Sequence, residues 1–461
     1  MYSDTVLHKL LWILMLFTFS QMSGATEYIS QEAPTPESAN KPDGAFDHTF
    51  QKKPLSERLL MKDLKERLKS EQPFWRDTKL SADLRSFNFD RDNSSTDTRE
   101  AWAAGGRLSY ESGLWKNFSV SAAYYNSSKI SAPSDSGPTG LLEPRQNNIS
   151  VIAEANLRYQ FTTTFLEGSE IRLYRQALDI PYINGDDIRM LPITHEGYTI
   201  KRSNSSLDYI AGHITKIKKR DSEKFVHMSE AAGAQGSDKG LTMAGALIPV
   251  NEQFTIGATN YYGWDTFNTF FAKATYRKAI KDDLDMELSG QFTDQRSVGE
   301  ELVGDFSTNL LAAQASFDWH GVIIKTAASV TGDDSDIRVP WGESPSYLSL
   351  QRLDFHRANE KAILLGVSYN TGFFSSLGLS GFINIARGVD AKSPVSGEDR
   401  PDQNEYDITL DYKPPGELFK GLGIRARAAF IDIDGDGNGN GNNWNDIRDY
   451  RLIVNYSIPL L

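Results

Sequence analysis

From about residue 77 to the C-terminus, short segments recur in which apolar and polar residues alternate one for one, and Gly, Asn, Asp, Ser and Pro gather between them. Residues 149–161 show the pattern most clearly. One parity reads Ile149, Val151, Ala153, Ala155, Leu157, Tyr159 and Phe161; the other reads Ser150, Ile152, Glu154, Asn156, Arg158 and Gln160. A period of two places the sets on opposite faces of a β-strand, so the first face is expected to be apolar along its whole length. The same alternation runs through residues 284–292, 406–412, 424–430 and 450–458. Weaker versions fall at 79–89, 102–110, 118–125, 169–174, 198–201, 207–217, 241–247, 254–262, 267–276, 310–319, 322–330, 362–369 and 379–387. Together they predict 18 strands; residues 169–174 and 198–201 alternate least, which leaves 16 as the other count.

Alternation of this kind suits a soluble β-sandwich, apolar face inward, or a membrane β-barrel, apolar face outward. Three features favour the barrel. Aromatic residues sit at the ends of the apolar faces, as in interfacial girdles. The polar faces carry charge of both signs, which a watery lumen accepts. Short links such as 413–421 alternate with long ones such as 331–361, as periplasmic turns alternate with outer loops. Segments of about ten residues are long enough to cross a bilayer when tilted. A mean hydropathy of −0.44 is no objection, because only every second residue of such a strand meets lipid. Energy sets the register: Arg425 or Arg427 facing lipid near the midplane would cost roughly 2–4 kcal/mol each, so both are expected to face the lumen.

The N-terminus points to export. His8 and Lys9 precede the apolar run LLWILMLFTF, and Ser23 and Ala25 supply the small residues of a cleavage site, the layout of a signal peptide over residues 1–25. Ten apolar residues are too few for a transmembrane helix, which needs about 20. Residues 26–76 are expected to form a flexible extension with a short amphipathic helix, since Leu55, Leu59, Leu60, Leu64 and Leu68 share one helical face. Residues 77–461 would form the barrel. The net charge of −12 argues against nucleic acid, and the absence of cysteine excludes disulfides and thiolate chemistry.

One stretch fits no strand. Residues 180–197, IPYINGDDIRMLPITHEG, hold two prolines, two glycines, the pair Asp186 and Asp187, and Arg189. Irregular backbone at membrane depth is tolerated only inside protein or along a water-filled cavity, so this segment is expected to be a loop folded into the barrel, with these three residues at the constriction. NGDDIRMLPITHEGYTI resembles the constriction-loop region of the OprD-like family of substrate-specific outer-membrane porins. DTKLSADLRSFNFDRD, REAWAAGGRLSYESG, GHITKIKKRDSEKFVHMS, GDDSDIRVPWGESPSYLSLQRLDFHRANEKA and the terminal DYRLIVNYSIPLL agree in the same order. The resemblance implies an 18-stranded barrel for passive, selective diffusion of small polar solutes such as carboxylates or amino acids. It also implies a ladder of basic side chains on one lumen wall, at positions that Arg425 and Arg427 match. Asn384 and Asp411 stand where the family often carries basic residues.

A row of fixed charges at a narrow, wet constriction selects among ions and zwitterions. Asp186 and Asp187 are suited to an ammonium group; Arg425, Arg427 and Arg451 are suited to a carboxylate, which the guanidinium fork binds bidentately. Parity adds Arg158 and Lys325 to the basic set. The plainer reading of each charge is that it keeps the pore wet or pairs across strands. Asp432, Asp434 and Asp436 resemble the start of a calcium loop, but Asn443 stands where a bidentate glutamate is required, so no metal is assigned. No catalytic or nucleotide motif appears, so no cofactor and no enzymatic activity are expected. A barrel with hydrolase activity, or a structural anchor of the envelope, is the alternative. Expected partners are outer-membrane lipid, lipopolysaccharide and small polar solutes, with homo-oligomerisation left open.

Overall fold

The structure is a computed structural model describing residues 61–93, 98–163, 165–203, 207–281, 283–370, 376–416, 419–433 and 447–461. The expected signal segment and residues 26–60 of the expected extension lie outside these. Among the described residues there are nineteen strands. They are β1 (Lys79–Asn93), β2 (Arg99–Glu111), β3 (Phe118–Ser131), β4 (Ile149–Gln160), β5 (Ser169–Gln176), β6 (Thr194–Arg202) and β7 (Asp208–Lys218). Next come β8 (Phe225–His227), β9 (Leu241–Pro249), β10 (Phe254–Gly263), β11 (Phe267–Lys281), β12 (Leu284–Ser297) and β13 (Ser307–Trp319). The last are β14 (Val322–Thr331), β15 (Lys361–Tyr369), β16 (Leu379–Val389), β17 (Gln403–Tyr412), β18 (Leu422–Ile433) and β19 (Ile447–Pro459).

Each wall strand pairs antiparallel with its sequence neighbours, and β1 pairs with β19, which closes the sheet. β7 passes its pairing to β9, so β8 adds three residues to the end of β7 and is not part of the ring. The wall therefore has 18 strands, and both thinly alternating segments belong to it as β5 and β6. Closure removes the unpaired edges that an open sheet would present.

The two faces separate by parity. On β15, Ile363, Leu365 and Val367 point out and are exposed, while Leu364 between them is fully buried. On β17, Tyr406, Ile408 and Leu410 point out and Asp407, Thr409 and Asp411 point in. On β18 and β19, Arg425, Arg427 and Arg451 point in. The exposed outer face is an apolar belt, the surface that lipid covers.

The strand with the clearest alternation departs from a single parity. Ala123 pairs with Glu154 and Tyr124 with Ile152, so Ala153 is an extra residue, a β-bulge. The bulge reverses the first half of β4. Ile149 and Ala153 point inward at 0% exposure and Ile152 points out at 54%. Alternation misled here because the lumen beside Ile149 is apolar: Leu141 and Leu142 of the preceding loop and Met190 and Leu191 fill it.

A second correction concerns residues 332–360, expected as an outer loop. They fold into the barrel. Trp341 stacks on Phe267 of β11 at 4.8 Å, and Tyr347, Leu348 and Phe355 are buried beside it. Burying such side chains is worth about 1.5–3 kcal/mol each, and outside the barrel they would face water. Loop 177–193 shares this core through Tyr182, Ile183 and Ile193.

At the barrel end that holds the C-terminus, two short helices, α1 (Lys62–Leu68) and α2 (Pro73–Arg76), precede β1. Met61 N–H donates to Leu460 O at 2.8 Å, and Lys65 Nζ donates to Thr78 O at 3.1 Å. α3 (Met228–Ala231) lies in the loop after β8.

Candidate functional site

Loop 177–193 is held by inward-facing wall residues. Tyr261 of β10 donates its hydroxyl to Pro181 O, and the Tyr182 hydroxyl bonds Thr293 Oγ1 of β12 at 2.9 Å. It is also joined to loop 332–360. The Asn184 amide donates to Glu343 O at 3.2 Å and accepts from Glu343 N–H at 2.9 Å. Gly342 makes this approach feasible, because a Cβ there would lie 2.7 Å from Asn184 N and 2.9 Å from Tyr182 O.

Asp186, Asp187 and Arg189 stand in different surroundings. Asp187 is the most open of the three and meets Arg85 of β1, Nη1 to Oδ1 at 2.6 Å and Nη2 to Oδ2 at 3.3 Å. Arg85 also donates from Nε to Asn455 Oδ1 of β19 at 2.7 Å. Asp186, in the left-handed backbone region at φ 41°, is ion-paired with Arg220 of the loop after β7. Burial pushes its carboxyl up to about 6, against the opposing pull of Arg220. Arg189 turns away into the protein: Nε donates to Thr139 O at 3.0 Å and Nη1 to Ile188 O at 2.9 Å. Its guanidinium lies 4.9 Å from the Phe89 ring centre, and burial lowers its pKa.

On the C-terminal wall, Arg425 binds Asp411 bidentately at 2.6 and 2.8 Å. Asp411 therefore neutralises the rung beside it. Arg427 points in next to it, its Cα opposite those of Thr409 and Arg451. Arg451 is buried, donating to Asp449 Oδ1 at 2.7 Å and to Gln351 O at 3.0 Å. Asp449 also takes Arg91 at 2.6 Å. The N–H groups of Gln351, Arg352 and Leu353 donate to Asp407 and Glu405 of β17 at 2.7–3.1 Å, so loop 332–360 lies over this part of the wall. Asn384 points inward opposite Asp407. Lys325 points inward on β14, opposite Ser316 and Gly366. Arg158 is placed elsewhere, with Glu111 at 2.5 Å and Glu170 at 4.0 Å near the end of the barrel that holds the C-terminus. Asp432 is the penultimate residue of β18; Asp434 and Asp436 lie outside the described residues.

Sequence reasoning did not single out Arg85 or Arg220, the partners of the two loop carboxylates. Arg85 carried a signal, because Arg85, Phe87 and Phe89 share the parity opposite Leu84. Asp187 was expected at the constriction, but its pairing with Arg85, 102 positions away, carried no signal.

A closed barrel of 18 antiparallel strands, apolar outside and filled inside by charged side chains and inward-folded loops, is the architecture of an outer-membrane channel. The family model for outer membrane porins of the OprD family matches residues 72–460, and the chain belongs to that family. Among solved structures it is similar to Pseudomonas aeruginosa OpdK with vanillate, at 22% identity and TM-score 0.72, covering 83% of this chain and 99% of that one. It is similar to Pseudomonas aeruginosa OccK9 (OpdG), at 20% identity and TM-score 0.74, covering 84% and 100%. Acinetobacter baumannii OccAB3 matches at 19% identity and TM-score 0.74, covering 83% and 99%. No curated protein matches the chain.

Proposed function

We propose that this porin passes small polar solutes, amino acids or carboxylates among them, by passive diffusion through a constriction that loop 177–193 forms against the wall. The observation that carries this reading is the Arg85–Asp187 pair, which joins the charged loop to the inner face of β1. Asp187 and Asp186 offer negative charge to an ammonium group. Arg85, Arg425 and Arg427 offer positive charge to a carboxylate, with Lys325 further around the wall and Arg158 toward the exit. Arg189 holds the loop by its backbone contacts, and Arg451 holds loop 332–360. Rungs that already carry a counter-ion bind a passing charge weakly, and weak sites in series allow release as well as entry.

Single-channel recording in planar bilayers, with competition by a panel of carboxylates and amino acids, tests the reading. Conductance steps blocked by solutes of one charge type are expected. Protein that inserts without conductance steps would end the channel reading.

A further inference from the structure

The wall of a porin meets lipid, but α2 before β1 is not wall, and it carries a large apolar side chain exposed at the end of the barrel. Trp75 of α2 is 51% exposed, and so to a similar degree are Leu114 and Trp115 of the turn between β2 and β3. Phe74 O accepts the Gly113 N–H at 2.9 Å, which seats α2 on that turn. The seat is close: a Cβ at Gly113 would lie 2.0 Å from Pro73 O. Trp115 pairs through its backbone with Phe118, the first outward residue of β3. Phe118 packs on Tyr159 at 4.7 Å, and Tyr159 on Phe161 at 5.0 Å. Backbone bonds thus link α2 to the turn and the turn to Phe118, where an aromatic series on the outer wall begins. Both flanking turns, 112–117 and 161–168, lie at the barrel end with the C-terminus and the short links, the periplasmic end of such a barrel.

We infer that α2 and turn 112–117 form a foot that rests in the periplasmic leaflet, its occupant being phospholipid at the headgroup level. Continuity with the lipid-covered wall selects that occupant. Trp and Tyr favour this depth because the ring is apolar and its N–H or O–H stays wet. Lys116, whose Nζ lies 5.2 Å from the Trp115 ring centre, is placed to meet a lipid phosphate. Pro73 and Phe74 then act as a strut, holding Trp75 beside the barrel instead of below it.

The chain has no cysteine, so single-cysteine variants can be labelled cleanly. Trp75→Cys and Leu114→Cys would carry an environment-sensitive fluorophore in phospholipid vesicles, with Ile363→Cys as the lipid-facing reference and Glu71→Cys as the aqueous one. Heat-modifiable migration on a gel checks that each variant has folded, independently of conductance. Lipids brominated near the headgroup should remove roughly half of the emission at positions 75 and 114, as at 363, while aqueous iodide quenches only position 71. Quenching of 75 and 114 by iodide alone would place the foot in water and overturn the inference. Quenching by neither would show that residues 1–60 or another part of the chain cover it, which also overturns it.

Discussion

Arg85 on β1 and Asp187 in loop 177–193 form a two-point ion pair, 2.6 and 3.3 Å between paired atoms, across 102 positions of sequence. The arginine is held from its other side by Asn455, so the wall supplies a fixed cation and the loop brings the anion to it.

Arg85→Ala should leave Asp187 without its counter-ion in the lumen. The reversal potential under a salt gradient is expected to move toward cation selectivity, and channel noise to rise as the loop loses a tether. Barrel stability should change by about 1 kcal/mol or less, because Asp187 is partly open to solvent. Bilayer recording and urea unfolding read the two effects separately; an unmoved reversal potential would argue against Asp187 lying on the solute path.

Asp186 predicts a pH dependence. Its carboxyl is raised to about 6 by burial, so the folded channel holds this proton more tightly than the unfolded chain. The stability it contributes is full below the ordinary carboxylate range and is lost as pH rises from about 4 through about 6. In the channel, lowering pH through 6 neutralises Asp186 and leaves Arg220 as net positive charge. Anion permeability should increase between pH 7 and pH 5. Asp186→Asn should remove that component of the pH profile; an unchanged profile in the variant would dismiss Asp186 as its source.

Arg425 and Arg427 are neighbours on one face of β18 with different expected phenotypes. Arg425→Ala strands the Asp411 carboxylate, whose side chain is 9% exposed, and should destabilise the barrel by about 3–5 kcal/mol. Replacing both partners by apolar residues should recover most of that loss. Arg427 stands with its Cα opposite Arg451, a like charge. Like charges facing one another across strands are unfavourable. Relief of that repulsion offsets part of the attraction lost to the Asp407 carboxylate, so Arg427→Ala should alter ion selectivity more than stability. Denaturant midpoints and reversal potentials for the three variants decide the point.

Gly342→Ala tests the coupling of the two inward loops. Its methyl group would meet Asn184 N at 2.7 Å, so the loops must part. The strain should cost about 1–3 kcal/mol. It should appear as faster proteolysis within residues 332–360 and as a change in conductance noise, with the barrel still heat-modifiable. Equal proteolysis of both proteins would show that the loops do not depend on each other.

How far the sequence could be read is clear from particular residues. Tyr406, Ile408 and Leu410 against Asp407, Thr409 and Asp411 gave β17 both its place and its faces. Arg425 and Arg427 were placed on the inner wall by solvation energy alone. Segments as weak as 169–174 and 198–201 still marked real strands. What stayed hidden was longer in range. Neither carboxylate of the loop named its arginine. Residues 332–360 looked like an outer loop, although Trp341, Tyr347 and Phe355 signalled a need for burial.

By itself the sequence located the wall strands, with 18 as the favoured count, and separated the two faces of the strands that alternate clearly, because alternation along a strand is a property of neighbouring residues. Tertiary structure decided the reversal at Ala153, the inward course of residues 332–360 and the pairing of Arg85 with Asp187 and of Arg425 with Asp411. Each of these rests on contacts between separate strands and loops. Their free energy comes from burial and charge compensation, which exist only once the barrel has closed.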